Sequence, residues 1–265
     1  MSRIVTGWAL TTALLVPVVV HAGRPCEIRP QTVVTVQRGL ALANAVAESL
    51  DRSGARVVLL ARAGQDLSKY GLAWSHLGYA YRASADQPWR VLHKLNHCGS
   101  DQAAVYRQGL GEFFLEHPHR YVAAYSILSE IAQAALLPVL DDDRAVLRWH
   151  EPRYNLVAYP WATRYQQSNQ WALETLAGAL EPAATDRARA QAWLKLQGYS
   201  PTTLRLGPLT RLGARATNAH IAFDDHPNGR RFSDRIDTVT GDSVFAWLPA
   251  AGLGRPAVVV NEPHR

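Results

Sequence analysis

Two short segments constrain the fold of this 265-residue chain more than any other feature. Residues 74–82 (WSHLGYAYR) and 89–95 (WRVLHKL) are rich in aromatic and aliphatic residues, and only a short polar stretch separates them. This pattern is typical of two antiparallel strands joined as a β-hairpin. Because side chains alternate between the two faces of a strand, His76 shares a face with Gly78 and Ala80.

Each of the two predicted strands carries a histidine. If Arg82 pairs with Gln87 around a four-residue loop, His76 falls opposite His93 on the same face of the hairpin. A shift of one residue in this pairing would place the two imidazoles on opposite faces. The pair is either ordinary packing, with backbone or water satisfying each ring, or a base oriented by its neighbour. The sequence leaves both interpretations open.

The rest of the chain alternates between helical and strand-like patterns. Helical periodicity is found in residues 33–52, 103–137, 169–180 and 185–197 and near 242–248. Strands, or short strands alternating with turns, are predicted at residues 56–62 and 154–161 and in the segments TLRLGP, AHIAFDDHPNG and RIDTVTG. No repeat or linker interrupts these patterns, so they predict a single α+β domain over residues 23–265.

The N-terminus has the pattern of a secretory signal. Arg3 supplies a positive charge, residues 4–20 are apolar, and Val20-His21-Ala22 matches a small-residue cleavage site. The sequence therefore predicts a signal peptide over residues 1–22 and a periplasmic or secreted protein, with a retained membrane anchor as the alternative. No later segment has about 18 consecutive apolar residues, so no integral membrane span is expected after signal removal.

Two cysteines, Cys26 and Cys98, follow the predicted signal. An even number of cysteines in an oxidising compartment allows a Cys26–Cys98 disulfide, and two unpaired thiols are the alternative. The formal net charge of +6 is dispersed rather than clustered, so we expect no nucleic-acid partner. A diffuse basic surface is compatible with anionic partners such as phospholipid or cell-wall polymer.

Ser168 stands at the start of the predicted helix 169–180. Unpaired N–H groups and the helix dipole at such a position favour negative charge, which suits an activated hydroxyl and an acyl oxyanion. Serine is also a preferred N-cap residue and needs no catalytic role to stand there. Both interpretations of Ser168 remain open at this point.

Taken together, SHLGYAYR, VLHKL and the later SNQWAL resemble the circularly permuted papain-like hydrolases, which include the YiiX-like NlpC-type amidases and the lecithin retinol acyltransferase family. The resemblance covers about residues 55–180. It implies a papain-like core over about residues 33–182, with an antiparallel sheet packed on helices, and a C-terminal elaboration over about 183–265. Over nearly its full length the chain also resembles a bacterial family of secreted proteins of unknown function.

Carried over to this chain, the resemblance makes His76 the base and His93 the orienting residue, with Ser168 in the position of the nucleophilic cysteine. It implies a hydrolase or acyltransferase acting on an amide or ester, with a cell-wall peptide or a lipid as substrate. A serine hydroxyl is a weaker nucleophile than a thiol. The alternative is therefore an inactive papain-like module that binds envelope peptide or lipid, and a structural envelope protein is a third possibility.

A second polar cluster lies in FDDHPNGRRF, which gathers Asp224, Asp225, His226 and Asn228. Such side chains can bind metals, but contiguous ligands seldom face one ion, and this sequence is typical of a turn. We expect a loop whose acids pair with Arg230, Arg231 and Arg235. The chain contains no phosphate loop, dinucleotide fingerprint, G-x-S-x-G or H-E-x-x-H motif, so no metal or other cofactor is expected. The sequence does not indicate an oligomeric state.

Overall fold

A computed structural model of the protein describes residues 30–116 and 118–263. The predicted signal peptide and Cys26 lie outside these residues, so the cleavage site and the Cys26–Cys98 disulfide stay predictions. None of the helices in the described ranges combines the length and the hydropathy needed to cross a lipid bilayer.

The described residues form a mixed α+β structure built on an open antiparallel sheet, which confirms the predicted class. The sheet contains, in spatial order, β4 (Ala103–Gly109), β3 (Arg90–Asn96), β2 (His76–Tyr81), β1 (Val57–Arg62), β5 (Val122–Ile127) and β8 (Val258–Asn261). A separate two-stranded sheet pairs β6 (Thr202–Arg205) with β7 (Arg235–Thr238). The α-helices are α1 (Val33–Ser53), α2 (Leu110–Leu115), α3 (Glu130–Asp141), α4 (Ser168–Leu180), α5 (Arg187–Leu196), α6 (Pro208–Thr217), α7 (Asn228–Arg231) and α8 (Gly241–Ala250).

Helices cover both faces of the main sheet. Strand β1 is buried along its whole length, as its continuous apolar sequence predicts. Val58 and Leu60 face the side covered by α1 and α2, whereas Leu59 packs with α3 and α4 on the other side. The same alternation divides β2, so its even-numbered residues face α1 and α2 and its odd-numbered residues, such as Leu77, face α4.

The predicted pairing of Arg82 with Gln87 is wrong by two residues. The structure pairs Tyr79 with Leu92 and Tyr81 with Arg90, and a longer loop connects the strands. A shift of two preserves the face of every side chain, so both histidines still point to the α1 and α2 side.

Strands β2 and β3 pair only at residues 79–81 and separate before them. Gly78 lies where the strands begin to part, and a Cβ atom there would come within 2.9 Å of the His93 Cβ. Only glycine therefore allows this close approach of the two strands.

The helical prediction for residues 103–137 is wrong over two segments. Residues 103–109 form β4 against β3, and residues 122–127 form β5 against β1. The local composition, rich in alanine, glutamine and glutamate, favours a helix, but cross-strand pairing with residues distant in sequence decides the conformation. Only α2 and α3 within this stretch are helical.

The predicted strand at residues 154–161 is a series of turns. The side-chain oxygen of Asn155 accepts hydrogen bonds from the backbone N–H groups of Val157 and Ala222, which replaces strand pairing with local and loop contacts. The C-terminal region is joined to the core through the sheet, because β8 supplies its sixth strand.

Candidate functional site

His76 and His93 meet at the point where β2 and β3 separate. The distance from His76 Nε2 to His93 Nδ1 is 2.8 Å, and the two rings are nearly perpendicular. His93 is fully buried, whereas His76 is half-buried at the end of its strand. The structure thus brings together the two histidines that the strand pattern placed on one face.

Hydrogen bonds behind the pair determine which ring nitrogens carry protons. Gln108 Nε2 donates to Glu112, so the Gln108 amide turns its oxygen toward His93 Nε2, at 2.7 Å. An amide oxygen only accepts, so His93 Nε2 carries a proton and His93 Nδ1 accepts from His76 Nε2–H. Neutral His76 therefore keeps its lone pair on Nδ1, as a base requires.

Both histidines are held neutral by their surroundings. Burial lowers the pKa of His76 well below its usual value, and the nearby charges of Arg62 and His93 act in the same direction. Burial, followed by the charge of Arg62, lowers the pKa of His93 to about 4. The Arg62 guanidinium packs over the Phe113 ring and pairs with Glu116.

Gln108 and Glu112, which complete this hydrogen-bonded chain, were not predicted from the sequence. Gln108 lies on β4, within the segment that the sequence pattern assigned to a helix. Assigning residues 103–109 to a strand beside β3 would have placed Gln108 near His93.

Ser168 is the first residue of α4, and Gln167 is the N-cap, with its side-chain oxygen accepting from the Asn169 N–H. The N-cap alternative for Ser168 is therefore wrong by one position. Ser168 is buried beside Tyr154. Burial raises the pKa of Tyr154, and hydrogen bonds from the Ser168 hydroxyl and N–H oppose that rise. The Asn169 N–H at the start of α4 thus already has a partner.

Helix α4 approaches the histidine pair from the other face of the sheet. Asn169 Oδ1 accepts from the Leu77 N–H at 2.8 Å, beside the gap between β2 and β3. His76 instead contacts Phe113 on the α2 side, with ring centroids 6.0 Å apart. Within the described chain, no hydrogen bond or ring contact joins Ser168 to His76 or to His93. The role of Ser168 as a nucleophile stays a prediction.

An apolar cavity of about 160 Å³ lies beside the start of α4. Its apolar wall comes from separated segments and includes Tyr70, Leu72, Trp74, Val157, Leu204 and Phe223. Ser75 and Asn169 also line it, and they are the sequence neighbours of His76 and Ser168. No local sequence pattern indicated this cavity, because distant parts of the chain build it.

Most charged side chains of the polar loop at residues 223–232 form ion pairs with other side chains of the protein. Asp224 pairs with Arg164, and Asp225 pairs with His226 at 3.0 Å. Arg230 pairs with Asp237, so the predicted pairing of these acids with the arginines of their own loop is wrong. Among residues 30–116 and 118–263, no group of histidine, cysteine, aspartate and glutamate side chains is arranged to hold a metal ion.

A family model described as an uncharacterized protein conserved in bacteria (DUF2145) matches residues 49–248. Comparisons with curated proteins and with solved structures return no match. The matched range contains both histidines, Ser168 and the residues that line the cavity. The resemblance to a bacterial family of unknown function is confirmed, and the chain belongs to this DUF2145 family.

Proposed function

We propose that this protein is an exported, non-catalytic module that binds an envelope peptide or lipid by taking an apolar group into the cavity beside α4. The cavity is the observation that carries the proposal. Its wall is mostly apolar, and it also includes polar side chains such as Ser75, Gln167 and Asn169. A cavity of roughly 150 Å³ is large enough for a benzene-sized group, so an aromatic side chain or part of an acyl chain fits its volume.

The polar groups beside the cavity are held in place by hydrogen bonds. Gln167 Nε2 donates to Thr238 Oγ1 at 3.0 Å, and Asn169 Oδ1 accepts from Leu77. Ser75 Oγ accepts from the Gly64 N–H at 2.8 Å. Groups that are already ordered lose little conformational entropy when a ligand binds, which favours recognition.

An occupied hydrogen-bond donor favours binding over catalysis. An oxyanion hole needs N–H groups aimed at an empty position, but the Asn169 N–H already bonds to the Gln167 side chain. This arrangement supports the inactive alternative within a fold of the permuted papain-like type.

Filling the cavity should weaken binding of an apolar probe. We expect Val157→Phe to weaken binding of N-phenyl-1-naphthylamine by at least about tenfold, because the added ring occupies the ligand volume. Val157→Thr, which keeps the side-chain shape, should weaken binding less. The fluorescence increase of the probe on titration measures both effects.

The matched control is Val259→Phe, which adds the same ring on the exposed strand β8. This variant should bind the probe like the unchanged protein. Equal affinity in the folded Val157→Phe variant would show that the probe does not enter the cavity and would reject the binding proposal.

A second candidate function, acyl hydrolysis or transfer, is favoured by the chain of hydrogen bonds from Glu112 to His76. In this candidate, Ser168 Oγ forms a bond to the acyl carbon and its proton passes to His76 Nδ1. The bond from the acyl carbon to the amine nitrogen or alcohol oxygen breaks, and the leaving group takes that proton. Water or an acceptor alcohol or amine then attacks the acyl carbon, its proton passes to His76, and the proton returns to Ser168 Oγ as the acyl–serine bond breaks. His93 holds the imidazole, and the cavity takes the apolar part of the substrate.

A fluorophosphonate probe tests this second candidate. Labelling should be lost in folded Ser168→Ala and His76→Ala variants, because one removes the attacking oxygen and the other its base. Ser75→Ala, which alters the serine that lines the cavity, should be labelled normally. An unlabelled wild-type protein, or labelling that persists in Ser168→Ala, would reject the catalytic candidate and leave the binding proposal intact.

A further inference from the structure

Helix α6 presents leucine side chains to solvent. Leu209 is 84% exposed and Leu212 is 67% exposed. The structure describes every residue of α6, and none of them is buried. Helical spacing places these two leucines on one side of α6. Thr210 and Ala214, one turn apart on another side, line the cavity. The outward side of α6 is therefore apolar although it faces water.

Basic side chains accompany the exposed leucines. Arg215 lies on α6, and Arg205 ends strand β6 just before the helix. In the described part of the chain, no acidic side chain forms an ion pair with either arginine. This surface therefore combines apolar groups with unneutralised positive charge.

A loop beside α6 carries a third exposed apolar side chain, Phe232. Its side chain is 69% exposed, and it follows Arg231, whose carbonyl oxygen accepts a hydrogen bond from Arg211 of α6. Arg211 also pairs with Asp234. These contacts hold the loop that carries Phe232 against α6.

We propose that the α6 surface, formed by Leu209, Leu212, Phe232, Arg205 and Arg215, docks onto an anionic phospholipid bilayer. An amphipathic helix with leucine on one side and arginine beside it is suited to the boundary between headgroups and acyl chains. The arginines complement the negative charge of the lipid surface, and the formal net charge of +6 acts in the same direction.

Helix α6 would lie between the bilayer and the ligand cavity. The outward side of the helix meets the bilayer while its other side lines the ligand cavity, so an acyl chain leaving the bilayer would have a short path. This consequence rests on the proposed binding function. The docking itself depends only on the exposed residues of the α6 surface.

Vesicle sedimentation with the purified protein tests the docking. The protein should bind vesicles of phosphatidylcholine with phosphatidylglycerol and bind vesicles of phosphatidylcholine alone much more weakly. The double variant Leu209→Ser/Leu212→Ser should bind the anionic vesicles at least about tenfold more weakly. Arg205→Gln/Arg215→Gln should weaken binding and reduce its dependence on salt.

Leu196→Ser is the matched control, because Leu196 is also 84% exposed but lies at the end of α5. It should bind like the unchanged protein. Unchanged binding of the double leucine variant would overturn the proposal, because it would show adsorption through arginine alone or a preference for an anionic polymer. The absence of vesicle binding by the wild-type protein would also overturn it. Val157→Phe should bind vesicles normally, so the cavity proposal and the docking proposal are tested independently of each other.

Discussion

Replacing Glu174 with alanine should lower the free energy of unfolding by about 3–5 kcal/mol, the usual loss when one member of a buried ion pair is removed. Glu174 is fully buried in α4, and its carboxylate accepts from Arg187 Nε at 2.7 Å and from Gln191 Nε2 at 2.6 Å. The amides of Gln166 and Gln170 also donate to it. The variant would remove the charged acceptor that these four side chains share and leave them only backbone carbonyl oxygens.

Lys94 increases the expected cost. Burial lowers the pKa of Lys94 well below its usual value, the Arg187 charge lowers it further, and the Glu174 carboxylate raises it. Without Glu174, the interior would hold a buried guanidinium and a buried amine with no carboxylate between them. Because Gln166 links Lys94 to Glu174, the same change should loosen the start of α4 beside the cavity.

Urea unfolding followed by circular dichroism measures this loss. Glu48→Ala, on the exposed side of α1, is the matched control and should change stability by no more than about 0.5 kcal/mol. A loss below about 1 kcal/mol in Glu174→Ala would contradict the prediction. It would mean that water or rearranged amides satisfy the buried guanidinium and amine.

Acid should destabilise the protein through the buried histidine pair. The pKa of His93 falls from 6.5 to about 4 on folding, so the unfolded chain binds more protons between these two values. Stability from this group is complete above about pH 6.5 and is lost as the pH falls toward 4. The shift corresponds to on the order of 3 kcal/mol.

Protonation of His93 also rearranges the hydrogen-bonded chain. A proton on His93 Nδ1 would face the Nε2–H of His76, so this contact is kept only if the His76 proton moves from Nε2 to Nδ1. Protonation of His76 on Nδ1 keeps both contacts and is opposed by burial and by Arg62.

Urea unfolding at several pH values between about 4.5 and 7 measures this dependence. His93→Gln should be less stable at neutral pH but lose less stability in acid, with a residual slope from His76 and from His150, whose pKa burial also lowers to about 4. His119→Gln, at an exposed position, should keep the wild-type dependence. An unchanged slope in His93→Gln would show that His93 is not the group responsible.

The face of each histidine was predictable, whereas the pairing of their strands was not. Alternation along 74–82 and 89–95 placed both imidazoles on one face, and the observed shift of two residues left that result intact. The helix after Ser168 was also predictable, because its apolar spacing and its packing agree. These features depend on residues close together in the chain.

The tertiary structure decided the features that depend on distant residues. Residues 103–109 became a strand because β3 offered backbone partners, and this placed Gln108 behind His93. Likewise, the cavity forms because separated segments pack around one volume. The side of α6 that faces outward is decided by the packing of Thr210 and Ala214 against that cavity. The sequence by itself therefore determined which side chains share a face, since that follows from local backbone geometry. Packing between distant segments alone decided which of them meet.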